Sequence, residues 1–273
     1  MKYYLSTISD LVYSWNEETQ TSTLSYQHRS GQLAKKWGLG LELAEFCLSE
    51  NCCNPEPVIK HFQENIYDFT NELIFHAPYN ELLPHAIEPL VVDIARKRYR
   101  ESYELCEKYK LRKMVVHANY IPTVYFKEWF IPKQIEFWKD FLEKNPGHCQ
   151  LVLENVMEES PDMIGDIVKG VNDPRFKMCL DVGHANLHPV KPMEWLEACA
   201  PFISHMHIHN NMGPASQGNA SSADMHRALG DGIIDMEAIL HRADQLIPEG
   251  LTATIESNHM EESAQWLKCK GFI

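Results

Sequence analysis

The segment Phe176-Lys-Met-Cys-Leu-Asp181-Val-Gly-His184 is a short apolar run that ends in two metal-capable side chains, three residues apart across a glycine turn. Seven other runs in the 273-residue chain share its strand-like character: Lys2–Ile8, Gly38–Leu43, Glu72–Ala77, Lys113–Ala118, Gln150–Asn155, Ile203–Ile208 and Leu251–Glu256. All eight are rich in β-branched and large apolar residues. Their near-continuous apolarity is the pattern of parallel strands buried on both faces. The stretches between them have helical spacing. Pro89 to Lys110 sets Leu90, Val91, Ile94, Tyr103 and Leu105 among charges, and Lys127 to Lys144 keeps Phe130, Ile135, Trp138, Phe141 and Leu142 on one apolar face. Asp235–Leu246 and Glu261–Lys270 are shorter examples, and Asn145-Pro146-Gly147 is a strong helix stop. With no linker and no short repeat, this alternation predicts a single (β/α)8 TIM barrel domain over residues 1–273.

Composition fits that reading. Hydrophobic residues make up 44% of the chain, enough for a core. No apolar run approaches the roughly 18–20 residues that span a bilayer, and no signal-peptide core is visible, so a cytoplasmic protein with no membrane partner is expected. The eight cysteines include no CxxC pair and are expected to be reduced thiols without a catalytic role. Acidic residues outnumber basic ones by 38 to 25, a net charge of −13, which argues against a nucleic-acid partner.

In such a barrel the site lies at the C-terminal strand ends. Those ends carry Glu42, His76, His117, Glu154, Asp181 with His184, His205-Met-His207-Ile-His209, and Glu256. One buried histidine is usually an ordinary core residue. The whole set is different, because carboxylates converging on one pocket repel unless cations lie between them. Asp224 and His226 follow in the loop after the seventh strand, at a spacing that turns both to one side of an extended segment. His205, His207 and His209 share one parity. His207 best matches the strand end, His205 lies deeper as a structural residue, and His209 supports the ligands or touches substrate. Imidazole with carboxylate suits Zn²⁺, Mn²⁺, Co²⁺ or Fe²⁺ better than a water-rich Mg²⁺.

Leu-Glu154-Asn, Leu-Asp181-Val-Gly-His184, Met-His207-Ile-His209, Asp224-Met-His226 with the following Leu-Gly-Asp-Gly, and Ile-Glu256-Ser together resemble the xylose-isomerase-like barrels, which include sugar isomerases and epimerases and the endonuclease IV repair nucleases. The resemblance runs from the second strand to the eighth. It implies a primary divalent ion, zinc or manganese, on Glu154, Asp181, His207 and Glu256. Three-zinc members also use His76 and His117 with Glu154 for one ion, and His184, Asp224 and His226 for another. All nine positions are filled here, so two or three ions are expected.

Three functions compete. The first is an isomerase or epimerase of a small sugar-like carbonyl compound, with Glu154 and Glu256 moving a proton through an enediolate. Glu42, Trp15, His209 and Arg227 are its candidate substrate-binding residues. Trp15 could equally cap the barrel, and Arg227 could neutralise one phosphate. The second is an endonuclease IV-like trinuclear zinc phosphodiesterase acting on abasic DNA. The ligand set favours it, but the expected top-face loops hold almost no Lys or Arg for phosphate contacts. The third is a non-catalytic binding barrel, whose signature would be lost ligands, and none is lost. Tyr79 and Tyr120 are candidate pocket walls, Trp129, Trp138, Trp195 and Trp266 are expected to pack helices on the barrel, and Glu158-Glu159 reads as a solvated loop.

Overall fold

Each of the eight apolar runs forms a strand in the computed structural model, which describes residues 1–16, 19–27, 29–66, 72–214 and 224–273. In chain order the strands are β1 (Lys2–Ser6), β2 (Leu11–Asn16), β3 (Thr21–Tyr26), β4 (Gly40–Leu43), β5 (Leu73–His76), β6 (Lys113–His117), β7 (Gln150–Glu154), β8 (Phe176–Asp181), β9 (Ile203–Ile208) and β10 (Thr252–Ile255). All but β2 and β3 join a closed parallel barrel that runs β1, β4, β5, β6, β7, β8, β9, β10 and back to β1. The helices are α1 (Arg29–Trp37), α2 (Ser49–Cys53), α3 (Glu56–His61), α4 (Pro89–Lys108), α5 (Lys127–Lys144), α6 (Pro161–Val171), α7 (Val182–Asn186), α8 (Pro192–Cys199), α9 (Met236–Leu246) and α10 (Met260–Cys269). Local signals set their starts. Pro89 and Pro161 begin α4 and α6, where a missing N–H does no harm. Asp235 caps α9 by accepting the Ala238 N–H at 3.1 Å.

The apolar core lies in two places. The larger part sits between strands and helices, around the fully buried Trp138, Trp195, Phe141 and Phe176. A smaller set, Tyr4, Ile74, Val115, Val152 and Cys179, is a separate apolar cluster contributed by five barrel strands. Lys113, at the start of β6, ties the strand N-termini together. Its ammonium donates to the carbonyls of Ser204 (2.5 Å) and Gly250 (3.3 Å) and to the Thr252 hydroxyl (2.8 Å).

Two expectations change. The stretch read as a loop after the first strand is an antiparallel hairpin, with β2 pairing to β3 from Leu11 opposite Tyr26 to Asn16 opposite Thr21. Its period-2 signal is weak because β3 is mostly Ser and Thr. Trp15 lies on β2, and its side chain falls outside the described residues. Trp129 does not pack flat on the barrel: it is 39% exposed and donates its indole N–H to the His85 carbonyl at 2.8 Å. Among the described residues, no helix is long and apolar enough to cross a membrane.

Candidate metal centre

Strand register brings the chemistry together. His117 pairs in register with Glu154, and Asp181 with His207, so these residues leave neighbouring strands at matched height. Three sets of donor atoms result. In the first, His207 Nδ1 lies 3.3 Å from Glu154 Oε1, 3.3 Å from Glu256 Oε2 and 3.8 Å from Asp181 Oδ2. In the second, His117 Nε2 lies 3.3 Å from His76 Nε2 and 3.2 Å from Glu154 Oε2, with His76 Nε2 at 3.6 Å from the same oxygen. In the third, Asp224 Oδ2 lies 3.3 Å from His184 Nε2 and 3.1 Å from His226 Nε2. Glu154 belongs to the first two sets, with one oxygen turned to each.

These separations fit divalent ions. Donors bound to zinc at about 2.0–2.1 Å in tetrahedral array stand roughly 3.4 Å apart. Glu154 Oε2, Asp181 Oδ2, Asp224 Oδ1 and His207 Nδ1 are buried and have no hydrogen bond of acceptable geometry. Buried polar atoms are normally paired, so a cluster of orphans that are all metal-ligand atoms points to cations. The ion pairs formed by Glu42, Glu154, Asp181, Asp224 and Glu256 are with histidines, and among the described residues no Lys or Arg enters the group. Backbone geometry serves the third set. A Cβ at Gly183 would sit 2.0 Å from His209 Cε1, so only glycine lets the α7 turn come this close. His226 adopts φ 41°, a left-handed conformation that costs on the order of 1 kcal/mol and is typical of functional sites.

Without cations, protons hold the charges apart. Burial by itself would lower His207, but the Cys179 thiol and the Glu154, Glu42 and Glu256 carboxylates keep it well above the ordinary histidine value. Burial is likewise overcome at His184 by Asp181, Asp224 and Glu154, and at His226 by Asp224, which lifts it to about 9. Burial would raise Glu154 and Glu256, yet His207 holds Glu154 well below the usual range and brings Glu256 down to about 2. An incoming ion must therefore displace protons from imidazoles that hold them at neutral pH. Metal affinity is expected to fall as pH falls, about tenfold per unit for each proton displaced. Titration calorimetry in buffers of different ionisation enthalpy checks this, and metal uptake with no proton release would contradict it.

The remaining candidate residues separate clearly. Glu42, expected to meet substrate, is wholly buried beneath His207 and bonds to His205 and His207. Both of its carboxylate oxygens are taken up by neighbouring side chains, those of His207, His205 and Thr254. His209 stacks on His226 at 3.9 Å and lies 3.3 Å from Asp181, beside the third set. Arg227 is engaged by Asp231 at 2.9 Å. Tyr79 stacks on His117 at 4.2 Å and does line the site, whereas the Tyr120 ring packs on Phe130 and its hydroxyl donates to the Tyr125 carbonyl. Glu158 is not solvated. It is wholly buried and accepts the N–H groups of Val156 (2.7 Å) and Tyr120 (3.2 Å). Cys47 was not anticipated at the site: its thiol lies 3.1 Å from His76 Nδ1, placed there by the turn after β4, and a lone cysteine in a loop carries no motif that would have marked it.

Barrel and donors together define a metal-competent member of the xylose-isomerase-like class. The chain matches the family described as xylose isomerase-like TIM barrel over residues 39–269, and it belongs to that family. Among relatives in sequence, the protein MJ1311 of Methanocaldococcus jannaschii is 24% identical over 218 residues, covering 76% of this chain and 71% of that one. A probable endonuclease 4 of Mesomycoplasma hyopneumoniae strain J is 24% identical over 194 residues, covering 66% of either chain. Among solved structures, a D-tagatose 3-epimerase-like protein superposes with a TM-score of 0.73 at 19% identity, over 100% of this chain and 97% of that one. A Thermus thermophilus protein, TTHB071, soaked with ZnCl2, superposes with a TM-score of 0.71 at 18% identity, over 100% and 98%. At these identities the structural likenesses establish the fold alone.

Proposed function

We propose that the chain is a divalent-metal-dependent isomerase or epimerase of a small sugar or related polyhydroxy carbonyl compound, acting by proton transfer through an enediolate. One observation carries it: two buried carboxylates, Glu154 and Glu256, flank a single imidazole nitrogen at 3.3 Å each. Such a pair supplies one base to take a proton and another to return it. Glu154, Asp181, His207 and Glu256 would hold the ion. A Zn²⁺ or Mn²⁺ there supplies the Lewis acidity that polarises a carbonyl and its neighbouring hydroxyl. Tyr79 forms an aromatic wall beside His117, suited to a sugar face. Structural neighbours such as the D-tagatose 3-epimerase-like protein support a sugar-type substrate.

The three-set donor arrangement and the probable endonuclease 4 relative favour a second reading, a phosphodiesterase acting on abasic DNA. The rim opposes it. Lys191 donates to the carbonyls of Asn186 and His188, and Arg227 is held by Asp231, so the basic residues of the later loops are already engaged. A DNA-binding face needs several free cationic contacts. The metal-loaded protein, incubated in deuterated water with a panel of ketoses and keto acids, is expected to exchange the proton next to the carbonyl. A free ketose should react better than its phosphate ester, because the loops after the strands offer almost no Lys or Arg to receive an anion. An abasic duplex should bind weakly even at low salt. Efficient incision of that duplex, without carbon-bound exchange in any sugar, would replace this function with the nuclease.

A further inference from the structure

Beneath the donor sets, the barrel interior holds a polar layer that the proposed chemistry does not use. Glu42 is its centre, 0% exposed. Its Oε1 lies 3.0 Å from His207 Nε2, and its Oε2 lies 3.1 Å from His205 Nε2 and accepts the Thr254 hydroxyl at 2.5 Å. The layer continues downward: His205 Nδ1 lies 2.7 Å from Thr252 Oγ1, which in turn receives the Lys113 ammonium at 2.8 Å. A hydrogen-bonded column thus runs through the barrel from the donor sets to the residues around the strand N-termini.

His207 stands between two environments. Its Nδ1 faces Glu154, Asp181 and Glu256, while its Nε2 faces Glu42. A neutral imidazole offers one lone pair, and it offers that pair at Nδ1 only when Nε2 carries the proton. We propose that Glu42 is a positioning residue, which accepts the His207 Nε2–H and thereby aims the Nδ1 lone pair at the metal. The proposal rests on the metal reading of Glu154, Asp181, His207 and Glu256. Glu42 is well placed for the task because it is itself held. Thr254 and His205 occupy its second oxygen, and His205 is anchored through Thr252. Such carboxylate–histidine–metal relays fix ring orientation, and their loss typically weakens metal binding about 10–100-fold.

The test compares wild type with Glu42→Ala, Glu42→Gln and Thr254→Val. Zn²⁺ affinity is measured by chelator competition, the visible spectrum is recorded on the Co²⁺-loaded protein, and folding of each metal-free protein is checked by circular dichroism. Glu42→Ala is expected to bind Zn²⁺ about 100-fold more weakly with altered Co²⁺ bands. Glu42→Gln retains an acceptor for Nε2–H, so it should lose less and keep a more native spectrum. Thr254→Val should shift in the same direction by a smaller amount, and it serves where the Glu42 variants fold poorly. A purely structural role would lower metal-free stability without moving the Co²⁺ bands. Folded Glu42 variants with wild-type affinity and an unchanged spectrum would overturn the positioning role alone. Wild type that takes up neither ion would overturn the metal reading and this proposal with it.

Discussion

Glu154→Gln is expected to lower turnover by about 10²–10⁴-fold while leaving the barrel folded. Loss of a positioned general base costs on that order. Glu154 is also the residue shared by two donor sets, Oε1 facing His207 and Oε2 facing His117 and His76. A glutamine keeps the volume but offers one weak donor oxygen, so it cannot serve both sets. The amide would leave His117 and His207 without their shared counter-charge, so bound metal should fall as well. Deuterium exchange into substrate measures the first effect, elemental analysis the second, and circular dichroism the fold. Full exchange activity in the folded variant would remove Glu154 from the chemistry and leave Glu256 to act with another base.

Stripping the metal is expected to have the second large effect, on stability as well as activity. A ligand at about a thousand times its Kd adds about 4 kcal/mol to the folded state. For a domain of this size each kcal/mol moves Tm by roughly 2–4 °C, so chelation should lower Tm by roughly 8 °C or more. The reason lies in the site: Glu42, Glu154, Asp181, Asp224 and Glu256 converge with only histidines for ion-pair partners among the described residues, so without cations their like charges crowd one another. Thermal melts with and without chelator, alongside the metal content of the purified protein, test this. Protein that carries no stoichiometric metal and melts identically with chelator would fit the binding-barrel alternative and end the isomerase reading.

Eight strand-forming runs, the long helices α4 and α5 and the metal-type side chains at the strand ends are legible in the amino-acid sequence because they depend on local rules. Period, apolarity and helix-end chemistry act over a few residues, and a parallel strand buried on both faces advertises itself as an apolar run. Placing Glu154, Asp181, His207 and Glu256 together needs one further rule, that strand ends of a barrel converge. Their donor atoms do lie within 4.8 Å of one another.

Other features were decided only by tertiary structure. Glu42 and Glu154 are both glutamates near strand ends, yet one lies under His207 and the other among the donors. That difference depends on contacts between strands far apart in the chain, which no local window contains. Glu158 looks solvated beside Glu159 but is buried, because two backbone N–H groups from separate loops reach its carboxylate. Cys47 meets His76 across 29 residues, and Arg227 pairs with Asp231. Which nitrogen of His207 faces the donors, and which faces Glu42, follows from side-chain direction and register between strands distant in the chain. Such contacts carry their energy in pairs that sequence proximity does not reveal, so composition and motif name the donor residues while the packed barrel alone orients them.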